Sequence, residues 1–184
     1  MHQLPNLITL LRCVLIVPTA WAVLTGRPVL AFGLFLAAGI SDGVDGWLAR
    51  RFDWRSRFGA IADPLADKVM VAVIYVVLAL EAVLPVWLAA LVVLRDVVIL
   101  GGALAWHFLV DRLELAPTRL GKLNTATHVL FVGGVLATRT GPPLEAFAVL
   151  VDPGIWLIAV LTLVSGGHYV WVWSGYAADR RAES

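Results

Sequence analysis

The sequence predicts an all-α polytopic membrane protein, a six-transmembrane-helix bundle, on three observations. Of its 184 residues, 60% are hydrophobic and 15% are charged, where a soluble domain has about 45–50% and about 25%. Several stretches of roughly 18–25 residues carry at most one or two ionisable groups, enough to cross a bilayer as helices. Lysine and arginine gather in the loops of one side. A soluble single-core domain, a disordered tail and a disulfide scaffold are all excluded. Net charge is +1, so the concentrated basic footprint of a nucleic-acid binder is missing and no nucleic-acid partner is expected. Cys13 is the only cysteine, which rules out an intrachain disulfide and a cysteine metal cluster; it reads as a small buried apolar residue.

The spans follow in order. The first covers about 7–24, with Pro18 as a kink that neighbouring helices tolerate. Arg12 interrupts its apolar run and no basic segment precedes it, so it reads as a retained helix rather than a cleaved signal peptide. The second runs from about 29 to 50 after the Thr25-Gly26-Arg27-Pro28 turn, the third over about 60–80, the fourth over about 84–109 and the fifth over about 121–138. The sixth covers about 146–174, broken at Asp152-Pro153-Gly154. No linker divides the chain, so residues 1–184 form one membrane domain. With six spans both termini share a side, which also holds Arg50, Arg51, Arg55, Arg57, Arg112, Arg119, Lys122, Arg180 and Arg181; only Arg27 and Arg139 lie opposite. The positive-inside rule makes the basic side cytoplasmic. Trp47, Trp54, Trp87, Trp106, Trp171 and Trp173 fall near span ends as interfacial anchors. The pairs Gly101-Gly102, Gly133-Gly134 and Gly166-Gly167 sit inside spans, where small residues allow close helix packing. His107, His128 and His168 read as interfacial or packed histidines.

Against this background Asp42, Asp45, Asp63, Asp67, Lys68, Arg95 and Asp96 stand within or at the ends of apolar spans. An intramembrane charge costs about 2.5–3.5 kcal/mol on insertion scales and marks a functional candidate. Asp42 and Asp45 are i, i+3, and Asp63 and Asp67 are i, i+4, so each pair shares a helix face. Four crowded carboxylates cannot all stay ionised in a poorly solvated site unless a cation joins them. Ion pairs with Arg50, Arg95 and Lys68 are the competing explanation, but they neutralise such a cluster poorly. Oxygen-only ligation without histidine or cysteine suits a hard ion, Mg²⁺ or Mn²⁺. Gly46, Ala49 and Gly59 keep the neighbouring surface low, and Arg50 can grip phosphate with two prongs. An acidic, metal-ready pocket beside small residues and an arginine suits a diphosphate carried with a nucleotide base.

The run Asp42-Gly-Val-Asp45-Gly46-Trp-Leu-Ala49-Arg50, then Gly59, Asp63 and Asp67, resembles the signature of the CDP-alcohol phosphatidyltransferases at every fixed position. The resemblance implies that the four aspartates hold two metal ions on the diphosphate of a CDP-linked lipid. It also implies that Asp42, Gly46, Ala49, Arg50 and Gly59 form the CDP site and that Asp67 is the catalytic base. The implied reaction is attack of an acceptor hydroxyl on the phosphorus attached to diacylglycerol, with CMP leaving. The partners would be CDP-diacylglycerol, a lipid or glycerol-phosphate acceptor, the membrane and a second copy of the chain. The site would sit at cytoplasmic membrane depth, in the cell inner membrane if the source is a bacterium.

Three further segments bear on the acceptor. Asn6, Thr9 and Arg12 share a face of the first span, and residues 5–12 resemble the opening helix of the glycerophosphate and cardiolipin branches. Arg95-Asp96 stands where glycerophosphate-type members carry Arg-Glu. Gly121-Lys122-Leu123-Asn124-Thr125 resembles the Lys-x-Asn-Thr of cardiolipin synthases more than the Lys-x-Lys-Thr of phosphatidylglycerophosphate synthases. The resemblance therefore leans to phosphatidylglycerol, with glycerol 3-phosphate as the alternative and Arg95, Arg119, Lys122 and Thr125 on the acceptor's phosphate. Helix capping and an Arg95–Asp96 pair are the competing explanation for these residues. An ion-coordinating transporter is the reading from another class, disfavoured because the charges cluster on one side and matched broken helices are absent. Prenyltransferases also pair aspartates around a diphosphate, but their motifs stand far apart in sequence.

Overall fold

The computed structural model describes the backbone of residues 4–52, 57–109 and 119–183, and side chains within these except at 4–11, 13, 45–50, 52, 57–65, 103–109, 119, 122 and 172–183. The described residues form six long helices: α1 (Leu4–Leu24), α2 (Pro28–Phe52), α3 (Arg57–Leu80), α4 (Val86–Leu109), α5 (Arg119–Thr138) and α6 (Val151–Glu183). No strand occurs among the described residues.

The connections are set by backbone chemistry. Gly26 has φ 64°, and the amides of Gly26 and Arg27 donate to the carbonyls of Val23 and Ala22. That pair of bonds closes α1 in a Schellman motif. Pro28 then opens α2 at a position where its missing N–H is not needed. The α3–α4 turn repeats the pattern with Ala82 at φ 54°, and Val83 donates to the Leu78 carbonyl. The break expected at Asp152-Pro153-Gly154 lies slightly earlier. A 3-10 segment, Leu144–Leu150, precedes α6, and Pro153 falls in the first helical turn, where no intrahelical N–H bond is lost.

The helices close a ring in which α1 packs on α2 and α3, α3 on α4, α4 on α6, α6 on α5 and α5 on α2, with α3 and α5 also touching. Although consecutive, α2 and α3 do not pack on each other among the described residues, whereas α1 packs on both. Ile74, Tyr75, Leu78, Leu88, Val132, Leu136 and Ile158 are wholly buried inside. Outward faces carry large apolar side chains as well: Val17, Leu80, Val97, Leu130, Trp156 and Trp171 are exposed, and extended exposed apolar surface marks a membrane or protein contact. Trp87 meets Trp156 at 5.6 Å.

Among the described residues, one segment, Leu144–Trp171, is long and apolar enough by itself to cross a membrane. Shorter apolar runs cover Val14–Leu24, Pro28–Val44 and Leu123–Thr138. The other expected spans do not pass that test within the described residues. Of the glycine pairs, Gly133 lies against Phe35 and Gly166 against Arg95 Cγ, whereas Gly101, Gly134 and Gly167 have open space. The tightest approach is at Gly154, where an added Cβ would overlap the Phe131 ring.

Candidate active site

Lipid is as apolar as leucine, so helix association in a membrane depends on close packing and on polar links. The described polar links concentrate in two neighbouring clusters, at the α1–α2–α3 junction and between α3, α4, α5 and α6.

The first joins two of the four aspartates. Arg12 on α1 is 1% exposed, and its Nη2 lies 2.6 Å from Asp42 Oδ1 on α2 while its Nη1 donates to Asp67 Oδ1 on α3 at 2.7 Å. Asp42 and Asp67 are 44% and 31% exposed, so both carboxylates remain partly accessible. Helices α2 and α3 carry Asp45 and Asp63 one turn from these residues, but the side chains of Asp45, Gly46, Ala49, Arg50, Gly59 and Asp63 lie outside the described residues. No group of three or more potential metal ligands occurs among the described residues. The donor chemistry nevertheless fits a hard cation: two carboxylates from two helices already converge on one positive charge, with oxygen left accessible.

The second cluster lies beside it. Lys68, next to Asp67, approaches Asp96 Oδ1 at 3.4 Å. Arg95 donates from Nη1 to the same oxygen at 2.6 Å and from Nη2 to Ser165 Oγ on α6 at 2.7 Å. The Arg95–Asp96 pair considered from the sequence is therefore formed, and both prongs of the Arg95 fork are engaged. Arg95 Nε and Asn124 Oδ1 are buried without a hydrogen-bond partner. Both residues line a small cavity with Lys68, Asp96, Thr125 and His128. Thr125 donates its hydroxyl to the Gly121 carbonyl at 3.1 Å, which leaves its oxygen able to accept. The Arg119 and Lys122 side chains lie outside the described residues.

Beneath this cavity His128 is packed, as expected, but with defined partners. Its Nδ1 is 3.0 Å from the Tyr75 hydroxyl and its Nε2 is 3.1 Å from Thr162 Oγ1. Thr162 donates its only proton to the Ile158 carbonyl at 2.7 Å, so its oxygen accepts from Nε2–H. Nδ1 then accepts from Tyr75, which assigns the imidazole tautomer from the network. The chain of bonds ties α3 to α5 and α6.

Sequence reasoning missed the Arg12 bridge, Ser165 and the Tyr75–His128–Thr162 chain. Arg12 carried a usable signal, since an arginine inside an apolar run requires partners. His128 stands four residues after Asn124, one turn along the same face. Ser165 carried none.

A sequence model of the CDP-alcohol phosphatidyltransferases matches residues 2–171, which contain both clusters. The chain belongs to this family. Its relatives include proteins named for two different activities. It is 32% identical over 181 residues to a cardiolipin synthase (CMP-forming)/mitochondrial hydrolase fusion protein of Schizosaccharomyces pombe, covering 90% of this chain and 30% of that one. A probable cardiolipin synthase (CMP-forming) of Drosophila melanogaster is 30% identical over 86% of this chain and 53% of its own length. The chain thus spans about a third to a half of those two relatives. The CDP-diacylglycerol–glycerol-3-phosphate 3-phosphatidyltransferase of Haemophilus influenzae is 31% identical, with 96% of each chain covered. Identity does not separate the two kinds of relative.

Proposed function

We propose that the protein is an integral-membrane phosphatidyltransferase of phospholipid synthesis, which moves the phosphatidyl group of CDP-diacylglycerol to an acceptor hydroxyl and releases CMP. The observation that carries this reading is the convergence of Asp42 and Asp67 from two helices on one cation, within the family's aspartate signature. Asp42, Asp45, Asp63 and Asp67 would hold two divalent ions, Mg²⁺ or Mn²⁺, whose charge would neutralise the diphosphate and the leaving CMP. Gly46, Ala49 and Gly59 leave room for the cytidine, and Arg50 holds the nucleotide's phosphate. Asp67 takes the proton from the acceptor hydroxyl as its oxygen bonds to phosphorus and the bond to CMP breaks.

Phosphatidylglycerol is the preferred acceptor, which makes the product cardiolipin. Asn124, buried with an unpartnered Oδ1 in the cavity beside Asp67's neighbour Lys68, offers an acceptor for a glycerol hydroxyl, and it is the residue at which the cardiolipin-type pattern departs from the other. Glycerol 3-phosphate is the second reading, favoured by the relative matched along nearly its whole length. Arg95 Nε, Arg119, Lys122 and Thr125 would meet the phosphate common to both acceptors. The apolar outer faces of the helices support six crossings, and the clustering of arginine and lysine supports cytoplasmic termini and a cytoplasmic-depth site.

Purified protein given CDP-diacylglycerol, Mn²⁺ and each acceptor separately should release CMP, with cardiolipin as the product from phosphatidylglycerol, and Asp67→Asn should abolish release. Ion flux in sealed vesicles with no lipid turnover would replace this reading with a transporter. CMP release that survives Asp67→Asn would remove that residue as the base.

A further inference from the structure

We propose that Arg12 is a positioning residue for the metal-binding carboxylates: its guanidinium sets the separation of the two aspartate pairs and serves as their resident counter-charge. The inference rests on the reading of Asp42 and Asp67 as metal ligands.

Three observations lead to it. Arg12 is 1% exposed and ranks first by size among the wholly buried side chains. A guanidinium stays charged under all relevant conditions, and a buried charge persists only where partners hold it. Secondly, its two terminal nitrogens do not clamp one carboxylate but reach two, Asp42 on α2 and Asp67 on α3, at 2.6 and 2.7 Å. The planar fork thus acts as a strap of fixed span. Thirdly, α2 and α3 do not pack on each other among the described residues, while α1 packs on both. Helix α1 thus links the two helices, and Arg12 is a point at which it reaches both aspartates. Each aspartate uses Oδ1 for the strap, an arrangement in which an outer partner orients a carboxylate toward a cation. Lysine, a point charge on a flexible stem, can replace the charge but not the two-pronged span.

The test uses the full-length protein in detergent, with Arg12→Lys and Arg12→Gln, and reads Mn²⁺ affinity from the loss of the free-ion electron paramagnetic resonance signal, with metal-free thermal stability measured in parallel. Both variants should bind Mn²⁺ at least about tenfold more weakly than the parent, the scale for loss of an orienting partner. Arg12→Lys should keep most of the metal-free stability that Arg12→Gln loses, so the lysine variant carries the test if the glutamine one does not fold. CMP release by Arg12→Lys should recover when Mn²⁺ is raised, with the acceptor KM unchanged at saturating metal. Parent-like Mn²⁺ affinity in a folded Arg12→Lys, or tighter binding in either variant, would overturn the positioning role while leaving the metal reading intact. A parent protein that binds no Mn²⁺ would overturn both.

Discussion

Replacing Tyr75 by phenylalanine removes one oxygen and leaves the ring, which makes it a direct probe of the His128 chain. Tyr75 is wholly buried and His128 is 4% exposed, so bulk water does not reach the hydroxyl's place. In the variant His128 Nδ1 loses its donor. Switching tautomer does not help, because Nε2 would then need the proton that Thr162 gives to Ile158. One buried polar atom is orphaned in either tautomer, at a cost of about 1–3 kcal/mol. Measured interhelical hydrogen bonds in membranes are weaker, about 0.6 kcal/mol on average and about 1.7 at most, because the unfolded chain in lipid also finds partners. Complete burial places this one at the upper end, about 1–2 kcal/mol. For a chain of this size that corresponds to a fall in Tm of about 2–8 °C. Thermal unfolding in detergent, followed by loss of soluble monodisperse protein, reads it directly. Thr162→Val should fall similarly, and Thr162→Ser, which keeps donor and acceptor, should not. A Tyr75→Phe protein with an unchanged Tm would refute the directional chain from Tyr75 through His128 to Thr162.

Four further outcomes follow from the packing and the site. Gly154→Ala should lower Tm, since its Cβ would overlap Phe131, whose ring is itself stacked on Tyr75 at 6.3 Å; overpacking of this kind costs about 1–3 kcal/mol. Gly134→Ala, with open space at the same interface, should not. Ala82→Gly should raise Tm by about 2 °C, because Ala82 occupies the left-handed region at φ 54° at a cost of about 1 kcal/mol that glycine avoids. Asn124→Ala should raise the acceptor KM by about three- to tenfold, the worth of one hydrogen bond, and leave the KM for CDP-diacylglycerol unchanged in steady-state CMP release. Removing divalent metal with EDTA should abolish CMP release, and adding back Mg²⁺ or Mn²⁺ should restore it.

How much of this was legible in the sequence depends on the distance over which each feature is written. Asp42, Asp45, Asp63 and Asp67 lie within residues 42–67, and helical periodicity alone puts each pair on one face. Their chemistry could therefore be read before any fold was known. The partner of Asp67 could not, because Arg12 stands 55 residues away and many helix orders would leave it facing elsewhere. Apolar length and charge placement predict helices; in lipid they say little about which helices touch, since every face is apolar and no hydrophobic stripe marks the inside. Consecutive helices joined by a short connection are ordinarily neighbours, so α2 packing on α3 would be the default, whereas among the described residues α1 packs on both and they do not pack on each other. The same limit applies to the acceptor residues. Arg95 in sequence is a free phosphate ligand or half of an ion pair, and only the meeting of α4 with α6, which brings Ser165 to its second prong, shows that both prongs are already engaged. A local motif thus specifies which atoms can bind a cation. The order in which the helices pack specifies how far apart those atoms stand, and it does so through an arginine whose sequence position announces only that it needs partners.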